Sequence, residues 1–326
     1  MNATSNMDIQ DEIDKLQGKI RVLNSTVWQE RGLKWKDYLM WINNFSQSES
    51  NVSEQTQELI ALHLLSKFLY FNNELIRKLL KSLYVDVFRT PLVHKIRREN
   101  NNTLERSFIE EKFHEELSKT RFIGMGNPAE SGYHLLYFFR QENRLNKKLF
   151  IHGHEALLQA STRNGISDKH QCSRYVFIDD FCGTGKQAER YSKELVPQIK
   201  SNHPDSNVWY CPLIATELGL EHVRENASFD TRKTVLTLDD TFKCFSDKSR
   251  YFRKEQNQLK IDSKLLCEYY GNALVKSDPD CGQPLGYDDS QLLISFHHNT
   301  PNNTLPIFWA TEDGFTPIFH RYPKEF

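Results

Sequence analysis

The sequence lacks the features by which several classes of protein are recognised. Its six cysteines, at positions 172, 182, 211, 244, 267 and 281, form no C-x-x-C pair. Their spacings therefore do not match a zinc ribbon or finger, and they predict reduced, mostly buried thiols. No apolar run is long enough to span a bilayer, and the polar N-terminus has no apolar signal core. We therefore expect a cytoplasmic protein with no membrane partner.

A charge imbalance is also missing. Forty-two basic residues stand against 43 acidic ones in 326 residues, a formal net charge of −1. Charge therefore does not indicate nucleic acid as the main partner, although a local basic patch stays open. The hydrophobic content of 38% and aromatic content of 12% can fill two ordinary cores.

The first third of the chain has helical periodicity. Apolar residues recur at spacings of three and four in the segments 9–23, 59–69 and 75–83. Within this region a polar stretch ends at Ser53 near a plausible helix start, a break is expected at Pro91, and 97–102 reads as a loop. The pattern predicts an all-α N-terminal domain over residues 1–118.

Four aromatic residues of this region, Trp28, Trp35, Tyr38 and Trp41, are open to two interpretations. They could form a ligand cage. At helical spacing, however, such residues more often lie in a core or on a face that docks a partner. A protein partner, or self-association through the helical domain, is therefore expected.

After Thr120, short apolar runs alternate with helical segments, which predicts βαβ units and a mostly parallel sheet flanked by helices in an α/β domain over residues 119–326. The predicted strands are Arg121–Met125, Lys148–His152, Tyr175–Asp179, Val208–Ala215, Lys233–Leu238, Leu292–Phe296 and Ile307–Trp309. The predicted helices are Tyr133–Glu142, Glu155–Gln159, Lys186–Ile199 and Leu220–Ala227.

The most informative segment runs from Tyr175 to Gln187. Strand-forming residues lead into Asp179 and Asp180, then into a short loop, Gly183-Thr184-Gly185, and then into a helical pattern from Lys186. A loop at a helix N-terminus presents backbone N–H groups that bind anions. Because carboxylates would repel an anion, the two aspartates should face hydroxyl groups or a divalent cation.

This segment resembles the signature of the type I phosphoribosyltransferases, in which two acidic residues precede a Thr-Thr-Gly-Gly-Thr-like loop. The resemblance implies that Asp179 and Asp180 are catalytic residues that hold the ribose hydroxyls of phosphoribosyl pyrophosphate and Mg²⁺. It also implies that Gly183, Thr184, Gly185, Lys186 and Gln187 bind the 5′-phosphate. Three positions depart from the family: Gly183, Lys186 and Gln187 stand where Thr, Gly and Thr or Ser are usual.

A second Gly-rich turn, 124–132, lies between a predicted strand and a predicted helix. Such a turn can bind an anion, with Ser131 as a helix cap. Its placement is similar to the pyrophosphate loop of phosphoribosyltransferases, which makes Asn127, Ser131 and Gly132 candidate substrate-binding residues. A tight turn that uses Gly and Pro for backbone reasons explains the same pattern.

Two single residues near these motifs are also candidates. Glu217 follows a predicted strand at the edge where α/β sheets bind ligands, although an acidic first helical turn is an equal explanation. Cys182 could be a thiol activated by a helix N-terminus, but a small residue filling a loop position is the simpler interpretation.

The segment 296–306 contains adjacent His297 and His298 and several Asn and Thr residues. Adjacent strand residues point to opposite faces and do not easily share a metal. The segment is either a polar loop that recognises substrate or a turn whose side chains cap their own backbone. Together with the acidic pair it is similar to a phosphoribosyltransferase-like family of bacterial defence and conflict gene clusters.

The resemblance implies a phosphoribosyltransferase-like effector that transfers the phosphoribosyl group to an unknown acceptor in anti-phage defence. The alternative is an inactive nucleotide-binding sensor or interaction protein with a partner on the helical domain. A P-loop NTPase built on 183–186 is disfavoured, because that motif needs Gly in place of Asp180 and Ser or Thr in place of Gln187.

Overall fold

The computed structural model describes residues 3–46, 52–126, 131–153, 172–275 and 283–322. In chain order its main helices and strands are α1 (Ala3–Thr26), α2 (Trp35–Ile42), α3 (Glu54–Leu65), β1 (Leu69–Phe71), α4 (Asn73–Ser82), α5 (Thr90–Glu99), α6 (Arg106–Ser118), β2 (Thr120–Gly124), α7 (Ser131–Glu142), β3 (Arg174–Cys182), α8 (Lys186–Asn202), β4 (Asn207–Thr216), α9 (Glu217–Asn226), β5 (Thr231–Arg232), β6 (Leu236–Leu238), α10 (Asn257–Leu274) and β7 (Ile294–Phe296). Across these ranges, none of the helices has the length and apolar character that a membrane crossing needs.

The chain divides into two compact units. One unit contains Met1–Asn73 and Asp239–Phe326, and the other contains Glu74–Leu238. The sequence predicts a domain boundary near residue 118. The division into compact units does not test which parts of the chain are separate domains, so this boundary stays a prediction.

The unit Glu74–Leu238 contains a parallel sheet. Its strand order is β2-β3-β4, and both β5 and β6 pair with the far side of β4. On the other side, Phe122 of β2 forms a parallel bridge with Phe150. The predicted α/β fold with a mostly parallel sheet is confirmed.

Helices cover both faces of this sheet. On one face, Phe122 of β2 contacts Phe139 of α7 at a ring distance of 5.0 Å. On the other face, Phe177 of β3 and Tyr210 of β4 share a core with Ile199 of α8. Because both faces are buried, β3 and β4 are almost continuously apolar rather than alternating, as expected for parallel strands.

The other unit has a core built from both ends of the chain. Side chains of α1, α2 and α3 pack with α10 and with residues 305–319. The strand β1 pairs in parallel with β7, and Leu69 lies opposite Ile294. The prediction that residues 1–118 are all α-helical is wrong at β1, because its partner lies more than 200 residues later and no local pattern reports that pairing.

Most of the predicted breaks in the helical region are confirmed. Ser53 caps α3 by accepting a hydrogen bond from the Thr56 backbone N–H. The predicted loop 97–102 is confirmed over its second half, where Asn101 and Asn102 are left-handed, whereas residues 97–99 form the last turn of α5. The break at Pro91 is wrong. A π-helical stretch, Leu83–Arg89, joins α4 to α5, and its wider turns accommodate the proline at the start of α5.

The aromatic cluster lies mainly in the core. Trp28, Tyr38 and Trp41 are buried. The indole N–H of Trp41 donates to the Ile307 carbonyl at 2.8 Å, and its ring stacks on Phe308 at 5.4 Å. This burial supports the core interpretation over a ligand cage.

Four strand predictions need correction, and one of them, Leu292–Phe296, forms a strand only over its last three residues. The segment Lys148–His152 contributes a single bridge at Phe150 after a short 3₁₀ turn, so the predicted strand is wrong. Lys233–Leu238 forms a strand only over its last three residues. Ile307–Trp309 is wrong as a strand, because Pro306 begins a 3₁₀ turn there. The predicted helix Glu155–Gln159 lies outside the described residues.

A buried histidine makes the stability of the fold depend on pH. His63 of α3 is 4% exposed, its Nε2 lies 3.0 Å from the Tyr251 carbonyl, and its ring stacks on Phe252. Burial is the main reason that the pKa of His63 falls to about 4. An unfolded histidine has a pKa of about 6.5, so between these values the unfolded chain binds a proton that the folded chain does not.

We therefore expect the free energy of unfolding to fall by about 3 kcal/mol as pH drops from 6.5 to 4, with no contribution from His63 above pH 6.5. Urea denaturation across this range measures the loss. A His63→Gln variant keeps a hydrogen-bond donor and should show a shallower decline, whereas exposed His94→Gln should behave as wild type. An unchanged pH dependence in His63→Gln would contradict the assignment.

Candidate functional site

The candidate site lies at the carboxyl edge of the sheet between β2 and β3. From β2 the chain passes through α7 to the bridge at Phe150 on one side, and the next strand, β3, pairs on the other side. The helices α7 and α8 cover opposite faces. Such a reversal of strand order opens a crevice at the strand ends, which is where open α/β sheets bind ligands.

The acidic pair lies at this reversal. The last residue of β2, Gly124, is paired with Ile178, and β3 continues past it through Asp179 and Asp180 to Cys182. Because successive side chains of a strand point to opposite faces, the two carboxylates do not lie side by side. This arrangement reduces the repulsion that adjacent charges would otherwise feel.

The two aspartates have different surroundings. Asp179 is 8% exposed. Its Oδ2 accepts a hydrogen bond from the Tyr210 hydroxyl at 2.9 Å, and its Oδ1 accepts one from the Asp180 backbone N–H at 3.0 Å. Asp180 is only partly buried, and its Oδ1 accepts from the Phe181 N–H at 2.8 Å.

Burial sets the protonation of the neighbouring groups. Tyr210 is fully buried, and burial raises the pKa of its hydroxyl well above the ordinary value, with the Asp179 charge adding to the effect. Tyr210 therefore stays a neutral donor. Burial also raises the pKa of Cys182 to about 12. This thiol is protonated at neutral pH, which supports the small-residue interpretation over an activated nucleophile.

The loop after the acidic pair leads directly into α8. Gly185 caps the helix in the left-handed region, at φ 78°. A Cβ at this position would meet the Gly219 carbonyl at 2.6 Å, so only glycine fits. Lys186 is exposed and Thr184 and Gln187 are partly buried in the first turn and the loop before it.

The first turn of α9 packs against this loop. Thr216 caps α9 by accepting from the Gly219 N–H at 2.8 Å, and the same hydroxyl donates to the Gly183 carbonyl. A Cβ on Gly219 would lie 2.3 Å from the Gly183 carbonyl. The loop backbone is therefore held between α8 and α9 with little freedom to move.

A side-chain hydrogen bond also joins α8 and α9. The His222 Nε2 lies 2.6 Å from a Glu189 carboxylate oxygen, one turn beyond the loop on each helix. Hydrogen bonds from Lys193 and His222 keep the pKa of Glu189 below its ordinary value. The carboxylate therefore remains ionised at neutral pH and fixes the spacing of the two helix starts.

The structure describes the other predicted site residues to different extents. Asn127 lies outside the described residues, and Ser131 and Gly132 begin α7, where the structure does not describe their side chains. Glu217 is exposed in the first turn of α9, at the same sheet edge as the acidic pair. Their roles stay predictions.

Tyrosines that the sequence analysis did not single out connect this edge. Tyr210 holds Asp179, and the hydroxyl of Tyr191 on α8 donates to the Gly126 carbonyl at 2.8 Å. Gly126 follows β2, so Tyr191 joins the two Gly-rich turns. Neither tyrosine carries a local sequence signal, because each contact joins residues that are far apart in the chain.

The polar segment 296–306 belongs to the other compact unit. The hydroxyl of Thr300 donates to the His320 carbonyl, that of Thr304 donates to the Ile294 carbonyl, and the amide of Asn303 donates to the Ser290 hydroxyl. These bonds tie the loop to neighbouring segments of its own unit, and the two interpretations of the loop stay open. The rings of His297 and His298 lie 4.8 Å apart, edge to face.

The described residues contain no cluster of three or more His, Cys, Asp or Glu side chains that could hold a metal ion. A divalent cation with only one or two protein carboxylates takes its remaining ligands from water and substrate phosphates, as is usual for Mg²⁺. The acidic pair fits that kind of site and not an enclosed metal centre.

The comparisons with known proteins agree with this geometry. The family model PRTase-CE matches residues 38–321, which include helices of the N-terminal region, the whole parallel sheet and the segment 296–306. Neither the curated proteins nor the solved structures provide a match. Because the family match covers most of the chain, the protein belongs to the phosphoribosyltransferase-like family PRTase-CE.

Proposed function

We propose that the protein binds phosphoribosyl pyrophosphate, or a related ribose-phosphate nucleotide, together with Mg²⁺ at residues 179–187. The single observation behind the proposal is the continuity of three features. Carboxylates at the strand-order reversal are followed by a rigid glycine loop, and the loop is followed by the N-terminus of the 17-residue helix α8. A ribose 5-phosphate needs acceptors for its hydroxyl groups and donors for its phosphate, in that order along its length.

The loop suits a phosphate for electrostatic reasons. The first N–H groups of a helix have no acceptor within the helix, and the helix dipole adds a favourable field for an anion. Exposed Lys186 adds a positive charge in the first turn. The ammonium and the Gln187 amide offer donors in place of the hydroxyls that the family usually has there.

The acidic pair suits the ribose and its cation. A carboxylate accepts hydrogen bonds from sugar hydroxyls, and Asp180 is the more accessible of the two. When bound, Mg²⁺ would neutralise charge on the diphosphate and would take a carboxylate oxygen of the pair as a ligand. The chain's own residues would orient the ribose and hold its 5′-phosphate.

The proposed reaction is transfer of the phosphoribosyl group. A nucleophile forms a bond to the ribose C1′ while the bond from C1′ to the diphosphate oxygen breaks, and the acceptor loses a proton. Such a step depends on positioning and charge placement. A protein that binds the same ligand without turnover, as a sensor, is the alternative, and the missing loop hydroxyls favour it.

Binding is tested by thermal denaturation. Phosphoribosyl pyrophosphate with Mg²⁺ at about 100 times its dissociation constant should raise the melting temperature by about 5–10 °C. ATP with Mg²⁺ should raise it much less, since its 5′-oxygen carries a triphosphate where the loop would hold a single phosphate, and its C1′ carries a base in place of the diphosphate. If phosphoribosyl pyrophosphate did not change the melting temperature, the proposed ligand would be wrong, while membership of the family would stand.

Turnover is tested by pyrophosphate release. With a panel of nucleobases, amines and orotate as acceptors, an active enzyme should release pyrophosphate. The rate should fall on the order of 100-fold in an Asp179→Asn, Asp180→Asn double variant, because charge placement dominates such a reaction. Asp205→Asn, which removes one charge from an exposed turn, should keep the wild-type rate.

Equal rates in the double variant and in wild type would exclude the acidic pair as the site. A ligand-induced rise in melting temperature without pyrophosphate release, for any acceptor, would favour the sensor.

The wider setting is also a proposal. We propose a cytoplasmic protein that acts in anti-phage defence, with a protein partner or a second copy bound through the N-terminal helices. Adjacent Leu39 and Met40 on α2 are each 46% exposed, which makes this helix a reasonable place for such contact. Because α1, α2 and α3 share their core with residues 244–319, binding should be tested with the full chain and not with a fragment of residues 1–118.

A further inference from the structure

The surroundings of the acidic pair point to a division of roles that the family resemblance does not contain. By resemblance, both aspartates would hold ribose hydroxyls. In the structure, Asp179 is buried and both of its carboxylate oxygens accept hydrogen bonds from the protein itself, from the Tyr210 hydroxyl and from the Asp180 backbone. A carboxylate held in this way is oriented by the protein before any ligand arrives.

Tyr210 is well placed to hold Asp179. It lies in the middle of β4, paired with Phe177, two residues before Asp179 on the neighbouring strand. Its ring stacks on Phe229 at 5.1 Å, nearly parallel, and is fully enclosed. A fully enclosed ring has few alternative rotamers, so its hydroxyl is directed at the Asp179 carboxylate with little side-chain entropy left to lose.

The effect passes to Asp180 through the backbone. The Asp180 N–H donates to Asp179 Oδ1, so the orientation of the buried carboxylate fixes the peptide unit from which the Asp180 side chain projects. Asp180 in turn accepts from the Phe181 N–H and is only partly buried at the strand edge. The chain Tyr210, Asp179, Asp180 thus leads from the core to the surface of the site.

We propose that Asp180 is the carboxylate that contacts the ribose, and that Asp179 is a positioning residue held by Tyr210. The inference rests on the proposed function, because it names which member of the pair meets the ligand. It also identifies a residue outside the loop motif, Tyr210, that sets affinity for the sugar part of the ligand.

The test uses the full chain, isothermal titration calorimetry and two ligands: phosphoribosyl pyrophosphate with Mg²⁺, and pyrophosphate without Mg²⁺, which has neither a ribose nor a cation for the carboxylates to bind. Asp180→Asn should weaken phosphoribosyl pyrophosphate on the order of 100-fold, and Tyr210→Phe about tenfold, in line with the usual effect of residues that orient a ligand-binding group. Both variants should bind pyrophosphate within about twofold of wild type.

Tyr175→Phe is the matched control. Tyr175 is another fully buried tyrosine in the same core, at the start of β3 and four residues before Asp179. It should leave both affinities unchanged. If Tyr210→Phe weakened both ligands equally, or behaved like Tyr175→Phe, the positioning role would be wrong. If Asp180→Asn bound phosphoribosyl pyrophosphate as wild type does, the assignment of the contact would be wrong.

A ligand-free measurement separates this inference from the proposed function. In a double-mutant cycle on the melting temperature, Tyr210→Phe and Asp179→Asn should be strongly non-additive, while Tyr210→Phe and Asp180→Asn should be close to additive. Failure of wild type to bind phosphoribosyl pyrophosphate would reject the proposed function and the contact at Asp180. Additivity in the first pair would reject the anchoring of Asp179, whatever the ligand result.

Discussion

The pairing of β3 with β4 is the constraint on which the rest of the site depends. The two strands run in parallel with Phe177 opposite Tyr210 and Cys182 opposite Ala215. This register places the Tyr210 hydroxyl at Asp179 and brings Thr216, at the end of β4, to the Gly183 carbonyl. A slip by one residue would turn the Tyr210 ring to the opposite face of the sheet and would break both contacts. Because both faces are packed, the apolar side chains themselves enforce the register.

The same packing explains how two adjacent carboxylates can lie near a proposed anion site without strong repulsion. Buried charge is costly unless hydrogen bonds compensate it, and Asp179 receives that compensation from a neutral hydroxyl and a backbone N–H. Its charge is thus held within the sheet, while Asp180 stands closer to solvent. The proposed phosphate loop begins three residues beyond Asp180, so only a few residues separate the acidic pair from the proposed anion site. A cation shared with the ligand would balance what remains.

Sequence patterns predicted the central part of the fold well and its long-range contacts poorly. The strands around 175–179 and 208–215, the glycine loop and the start of α8 were readable because long apolar runs and turn residues are local signals. The pairing of β1 with β7 and the Tyr210 contact were not, because each joins segments distant in the chain. Pro91 was misread since a π-helical turn is not distinguishable from an ordinary break by composition. At Ile307–Trp309 an apolar run was taken for a strand, although the proline before it starts a tight turn.

The extent of the family match changes how the N-terminal helices should be regarded. The segments that carry the resemblance in the sequence lie between residues 124 and 306, whereas the family model begins at residue 38, within α2. The unit formed by Met1–Asn73 and Asp239–Phe326 buries α2 and α3 against α10 and the residues around Phe308, so neither chain segment has a complete core alone. A helical attachment that could be lost or exchanged would be expected to have its own core. The family match therefore spans the sheet unit together with most of the second unit, which is built from both ends of the chain.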